Sequence, residues 1–360
     1  MVEIITDKNQ WNDWLKNSTS HTPFSQSWEW GDILLSEGYR VERLAIIDDD
    51  EVLAQAQVIY HNLPLGWKYA FCPKGPNLKI SNSPDGELIS DQSALDGQNP
   101  NAKIIGTLIE YCRDQRCVFI RIEPNIRLTT YDIRLHKTLD INPRATTILN
   151  LEKSDNELFL RMKPKTRYGI RLSQKKGLTI SDKKDLSGFW NLSQLTGQHN
   201  KFSLHPKIHY KKVFVSDFSH QLSVFLSDKL IVSAVFVGFG DTFTYLYGAS
   251  DYDHRSLMAP YLLQWEGIKL AKKSGYKYYD FFGIAPAVAE NSNSPAGELS
   301  SKSEFVYCPN HQYAGVTRFK LGFGGEIQEV IGTCDFVINK YKYQFYNFFR
   351  QVNRSLKKYV

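Results

Sequence analysis

A chain of 360 residues exceeds what one hydrophobic core usually organises, and 42% hydrophobic with 23% charged residues describes globular protein with enough apolar content for two. The formal charge of +6 comes from 44 basic residues scattered among 38 acidic ones, so a local basic face is expected rather than a wholly basic protein. Five cysteines, at Cys72, Cys112, Cys117, Cys308 and Cys334, form an odd set with no CxxC pair, which argues against a disulfide framework and a zinc ribbon and fits reduced thiols in cytoplasm.

The opening MVEIITDKNQWNDWLKN carries charges where a signal peptide needs an apolar core, and no run of about eighteen apolar residues follows. Neither secretion by that route nor a membrane span is expected. Residues 3–60 read as a strand, a helix around Ser27–Glu37, and the strand pair VERLAIIDD and EVLAQAQVIYH joined by an acidic turn at Asp48–Asp50. A polar stretch over 80–101 lacks periodicity and reads as a loop or lid. A helix over 102–114 and the strand VFIRIEP follow.

From Pro143 the order starts again: the strand TTILNL, one helix ELFLRMKPKTRYGIRLSQKKG, and a helix around Leu186–Asn200. The strands LSVFLSD, LIVSAVFVGFG and DTFTYLYGAS come next, then a helix over 258–274. Two similar α/β units in tandem are the economical reading. A second polar insertion over 285–303 reads as a mobile loop near strand ends. In the C-terminal helix NKYKYQFYNFFRQVNRSLKKYV, the aromatic face Tyr343, Phe345, Tyr346, Phe348 and Phe349 is expected to pack on the protein rather than on a membrane.

Tyr245–Ile284 strings a strand, a turn, an arginine-led helix start and a second strand into a unit of acyltransferase type. Coenzyme A is held in the N-acetyltransferase fold by backbone amides at a helix N-terminus, reached through a glycine-containing loop. Here the loop reads Arg255-Ser256-Leu257-Met258-Ala259-Pro260, and a methionine and a proline replace the glycine and the free amide. The pattern keeps the fold and disfavours that donor. Gly322-Phe323-Gly324-Gly325 does not open a helix after a strand as a dinucleotide fingerprint does, and reads as a turn or bulge.

The motifs YGAS, R-x-LMAPYLLQWE-x-IK-x-AK and G-x-x-YYDFFGI resemble the Fem family (FemABX) of peptidoglycan bridge-forming aminoacyltransferases. FSQSWEWG, AQAQVIYHNLPLG, FCPKGP, NPRATTILNLEKS, MKPKTRYGIRLSQKKGL, FSLHPKIHY and VTRFKLGFGG agree with it in order along nearly the whole chain. The resemblance implies a fold of α/β (α+β) class with tandem GNAT-like domains and mixed sheets: 1–145 plus about 326–360 as a precursor-binding domain, and 146–325 facing aminoacyl-tRNA. No heptad run occurs near 185–215, so the coiled-coil arm of some members is not expected and the chain is similar to the shorter, FemX-like type.

Family membership further implies transfer of an amino acid from aminoacyl-tRNA to the stem-peptide amine of a peptidoglycan precursor, nucleotide-linked or lipid-linked, in the cytoplasm at or near the inner membrane face. Aminolysis of an activated ester needs a neutral amine held against the carbonyl and stabilisation of the oxyanion. No cofactor, metal or covalent intermediate is required.

Lys320 and Phe319 match the family's Phe-Lys pair beside the reacting ester, and Asp280 could position the acceptor amine as readily as make a strand-end hydrogen bond. Trp28, Trp30, Tyr247 and Arg255 carry over to the precursor groove. His205 or Lys207 would meet a phosphate and Tyr210 close over the peptide, although some members of the family have arginine at the first of these places and the tyrosine one position earlier. The His205/His209 spacing suits two metal ligands, but Pro206 lies between them and no third ligand is evident. Lys163, Lys165, Arg167, Arg171 and Lys175, with Lys176, resemble the family's helix toward the tRNA acceptor stem, where phosphate contacts would supply affinity without sequence reading. Alternatives from the same residues are an acyl or aminoacyl transferase acting on another amine, and a tRNA- or glycan-binding module without catalysis.

Overall fold

The computed structural model describes residues 1–19, 21–79, 100–124, 135–200, 202–288 and 305–357, so most of the two polar insertions read from the sequence lies outside them. The chain divides into two compact units, Met1–Asn142 with Val330–Val360, and Pro143–Glu329.

The first unit begins with β1 (Val2–Ile4), α1 (Lys8–Ser18), α2 (Trp28–Ser36), β2 (Arg40–Asp48), β3 (Glu51–Asn62), β4 (Lys68–Cys72), β5 (Asn77–Leu78), α3 (Pro100–Asp114), β6 (Phe119–Ile122) and β7 (Leu135–Lys137). The second holds β8 (Ala145–Asn150), α4 (Asp155–Arg161), α5 (Pro164–Lys175), β9 (Leu178–Ser181), α6 (Leu186–Asn200), α7 (Lys207–Val215), β10 (Ser219–Leu226), β11 (Lys229–Phe239), β12 (Thr242–Ser250), α8 (Ala259–Lys273), β13 (Tyr278–Asp280), α9 (Ala314–Lys320) and β14 (Glu326–Glu329). The chain then returns to the first unit with β15 (Cys334–Val337) and α10 (Lys340–Lys357).

The two sheets are built alike. The first runs β1-β2-β3-β4-β6-β15-β7, with β5 pairing β3 off this path; the second, read from the matching edge, runs β9-β10-β11-β12-β13-β8-β14. In each, antiparallel strands lead to one parallel pair, β4 with β6 and β12 with β13. A helix, α3 or α8, makes the crossover that a parallel pair requires. Two mixed α/β sheets in tandem are thus the observed architecture, and α6 and α7 are short helices with no coiled-coil arm between them.

Local chemistry explains the boundaries. Ser27 caps α2 by accepting from the Trp30 amide at 3.1 Å. The β2–β3 turn puts Asp49 and Asp50 at φ 46° and 63°, a left-handed pair that aspartate tolerates. The single helix read across 157–177 is in fact two: Lys163 precedes Pro164 and is extended, so α4 closes and Pro164 opens α5 at a position where its missing N–H is harmless.

The buried Gln57 of β3 explains the motif FSQSWEWG. Gln57 donates to the carbonyls of Ser25 and Ser27 at 3.0 and 3.1 Å, and its own amide donates to Gln26 at 2.8 Å. These bonds hold the α2 entry onto the sheet.

Each unit has its own core, one around Leu44, Val58, Ile105, Ile120 and Phe336, the other around Phe236, Phe243, Leu263, Tyr279 and Phe323. Across the β6–β15 pair Arg121 and Asp335, both fully buried, form a two-pronged ion pair at 2.6 and 2.8 Å, and the Tyr343 hydroxyl donates to Asp335 at 2.9 Å. The aromatic face expected to pack as a whole does not. Tyr343 and Tyr346 stack around Phe119, whereas Tyr341, Phe345, Phe348 and Phe349 are exposed, because a helix turning 100° per residue cannot present both sets to one side.

Candidate active site

The second unit's sheet opens between β12 and β13. β12 and β13 pair only as far as Thr244 with Asp280, after which β12 continues to Ser250 and the other chain turns aside through Phe282 at φ 58°. Asp280 enforces that turn by accepting from the Phe282 amide at 2.7 Å and from the Thr146 hydroxyl. Its carboxylate therefore shapes backbone as a strand-end hydrogen-bond acceptor.

Lys320 fills the opening. It ends a helix, α9, rather than a strand, and its side chain is 6% exposed. Nζ donates to the carbonyls of Gly283 at 2.8 Å and Phe282 at 3.1 Å, and lies 5.6 Å from the Tyr245 ring centre. Burial pulls its pKa down to about 7, with Asp280 pulling weakly the other way. Gly283 has no room for a side chain, since a Cβ would stand 2.5 Å from Pro143 Cγ. Phe319 packs edge-on against Tyr261 and Phe323 at 5.0 and 5.3 Å, so it anchors α9 in the core beneath the lysine.

A second cluster forms around Tyr247. His209 Nε2 is 2.8 Å from the Tyr247 hydroxyl, and the Tyr210 ring lies 5.1 Å from Tyr247. His205, exposed, stacks near His209 at 4.5 Å, and its backbone hydrogen-bonds Tyr210, whose hydroxyl burial pushes up in pKa. The structure thus brings His205, Tyr210 and Tyr247 together and adds His209, buried and weighed from the sequence only as a metal ligand. Its signal was the four-residue spacing from His205, which lays the two rings side by side. Among the described residues no group of three or more His, Cys, Asp or Glu could hold a metal ion.

Lys207 extends instead over Trp190 at 6.0 Å, and Arg255 lies over Tyr252 at 4.4 Å in the turn before α8.

The two clusters occupy opposite faces of the sheet. Tyr245 pairs with Phe236 and Tyr247 with Val235, leaving Leu246 as the extra residue of a bulge. Directly opposed residues share a face and successive ones do not, so Tyr245 stands with Phe236 and Tyr247 stands with Val235. Lys320 thus belongs to the α8 side and the histidine–tyrosine cluster to the α6–α7 side, and strand β12 divides them.

The basic helix abuts the lysine's turn. The Lys163 amide donates to the Gly322 carbonyl at 2.8 Å, two residues past Lys320. Lys163, Lys165, Arg171, Lys175 and Lys176 are exposed. Arg167 does not stand with them, because its guanidinium donates to the carbonyls of Leu160, at 2.9 Å, and Met162 and so closes α4. At the start of α8, Met258 is left-handed at φ 55° and Pro260 offers no amide.

In the first unit Arg43 lies flat on the Trp28 ring at 3.5 Å while bonding Asp32 at 2.7 Å, and Trp30 meets Phe24 edge-on at 4.9 Å. Both tryptophans are half-buried.

The profile of the FemAB family matches residues 6–140 and 227–351. Among curated relatives, the lipid II:glycine glycyltransferase of Staphylococcus haemolyticus is 20% identical over 95% of this chain and 94% of its own. The protein of the same name from Staphylococcus saprophyticus is 22% identical over 88% of each chain. A crystal structure of FemX aligns with a TM-score of 0.70 at 19% identity, covering 95% of this chain and 99% of that one. A Bacteroides thetaiotaomicron protein of unknown function aligns at 0.53 with 11% identity, over 93% and 99%. These two likenesses bear on the fold alone.

Proposed function

Because the chain belongs to the FemAB family, we propose that it transfers an amino acid from aminoacyl-tRNA to the stem-peptide amine of a peptidoglycan precursor. The curated relatives are lipid II:glycine glycyltransferases, which favours a lipid-linked acceptor. The observation that carries the reading is Lys320, a buried amine fixed by two carbonyls where β12 and β13 part.

The acceptor nitrogen attacks the ester carbonyl carbon, and the carbonyl oxygen takes the electron pair. Collapse then expels the ribose oxygen, which receives the proton the amine gives up. Two of the three N–H bonds of the Lys320 ammonium are held by Phe282 and Gly283. The third is free for the oxyanion, and a donor preorganised in a water-poor site is worth most there. Asp280 and Phe319 act as positioning residues, through the Phe282 turn and through α9. No cofactor enters the reaction as written. Exposed Lys163, Lys165, Arg171 and Lys175 would meet tRNA phosphates beside that turn, while His205, His209, Tyr210 and Tyr247 would line the acceptor's path on the other face. Trp28 and Trp30 would serve the precursor in the first unit.

The rival donor, acyl coenzyme A, is disfavoured by Pro260, which lacks one of the amides a pyrophosphate would use, and by the Met258 side chain where the donor's loop has glycine. The deciding assay incubates the chain with a mixture of charged tRNAs and the precursor, lipid-linked in detergent or nucleotide-linked, and reads the mass added. Lys320→Met should lower transfer about 100- to 1000-fold while precursor affinity stays within a few-fold. Undiminished turnover in that variant would remove Lys320 from the mechanism, and a chain that adds no amino acid to either precursor would end the assignment.

A further inference from the structure

The exposed side of α10 has a defined composition. Tyr341 is 84% exposed and Phe348 62%, with Phe345 and Phe349 beside them on the same helical stripe. Phe345 meets Trp67 edge-on at 5.5 Å and Phe349 at 4.6 Å. Trp67 ends the turn between β3 and β4, where Leu65 is 71% exposed and held left-handed at φ 63°. A leucine at that angle is strained, and the turn keeps its apolar side chain in water all the same. Two segments far apart in sequence therefore converge on one exposed apolar face.

The charges that the helix and the turn themselves carry have one sign. Lys342 lies over the Trp67 ring at 5.2 Å, and Lys340 is exposed at the start of the same helix. Neither α10 nor the segment His61–Lys68 contains an aspartate or glutamate. We propose that this face of the first unit, α10 with the Leu65–Trp67 turn, docks on an anionic lipid bilayer. Aromatic rings enter the acyl boundary while lysine ammoniums stay at the headgroups, the arrangement of an interfacial amphipathic helix. A second copy of the chain fits worse, since joining two such faces sets lysines against lysines, and lysine is depleted in the cores of protein interfaces. The inference extends the proposed reaction: an acceptor anchored in lipid is met by an enzyme resting on the same surface. No helix among the described residues is long and apolar enough to cross the membrane, so the docking would be peripheral.

Vesicles of phosphatidylcholine with and without phosphatidylglycerol test this by co-sedimentation, together with quenching of tryptophan emission by brominated lipid. The wild-type chain should sediment with the anionic vesicles, less so as salt rises, and part of the quenching should vanish in Trp67→Phe. Phe348→Ser and Leu65→Asn should each weaken binding about ten-fold. Asparagine suits the left-handed angle and serine replaces an exposed ring, so both variants keep the fold, as circular dichroism will report. Absence of wild-type binding to anionic vesicles, or equal binding by both variants, overturns the proposal. So does a dimer that these substitutions disperse while no vesicle binding occurs. The detergent-based transfer assay separates the two claims: vesicle binding without transfer sinks the reaction and leaves the membrane face standing, and transfer without vesicle binding does the reverse.

Discussion

Replacing Lys320 with methionine should change how stability depends on pH, whatever the substrate proves to be. The lysine's ordinary pKa is 10.5 and burial brings it to about 7 in the folded chain. Between those values the unfolded chain binds more protons than the folded one, so stability rises with pH across that window and is flat in this group below it. A full pKa unit corresponds to 1.36 kcal/mol. Allowing for half-protonation at the lower end, Lys320 contributes a gain of about 2 kcal/mol between pH 7 and 9.

Methionine removes that gain. It also strands the carbonyls of Phe282 and Gly283, which costs about 1–3 kcal/mol for each buried group and offsets the relief of an uncharged side chain. The absolute stabilities are therefore close near neutrality, and the difference between the two proteins carries the information, because every other titrating group cancels in it. Urea denaturation at half-unit steps from pH 6 to 9 measures it. A difference that stays constant within about 0.5 kcal/mol across that range would refute a Lys320 whose pKa burial lowers.

Gly283→Ala places a Cβ against Pro143 and must move the carbonyl that fixes Lys320. A loss of about 1–3 kcal/mol in thermal unfolding is expected, with reduced transfer at unchanged acceptor affinity, and an unshifted, fully active protein would contradict the close approach. Asp335→Asn leaves Arg121 buried without its counter-charge, so the first unit should lose about 3–5 kcal/mol by calorimetry. Lys165→Ala and Lys175→Ala should leave stability unchanged and flatten the salt dependence of charged-tRNA binding by about one phosphate contact each. Arg167→Ala should do the opposite, since its guanidinium bonds the end of α4; equal salt slopes for all three variants would dissolve the distinction.

Periodicity made α2, β2, β3, α3 and α8 legible, because each buries one face and advertises it in the sequence. The break between α4 and α5 escaped because the apolar pattern runs unbroken through Met162 and only the geometry of a pre-proline residue interrupts it. Lys320 was identified by its phenylalanine neighbour, yet its placement on a helix, its buried state and its carbonyl partners depend on Phe282 and Gly283, nearly forty residues away. No local signal announces the bulge at Leu246. An extra residue in a strand looks like any other residue, although it decides which face Tyr247 occupies. The aromatic residues of α10 were visible, but which of them find protein depends on where Phe119 and Trp67 stand.

The sheet of the first unit takes its β15 from residues beyond Val330, on the far side of the whole second unit in sequence. During synthesis this matters. At about 5–20 residues per second, the ribosome spends on the order of ten to forty seconds making 143–329 while β6 waits with an unpaired edge and Arg121 without Asp335. The nascent first unit is thus incomplete when the second can already close. A chaperone or the ribosome surface would guard that edge, and translation halted before Cys334 would release a chain whose second unit is finished and whose first is not.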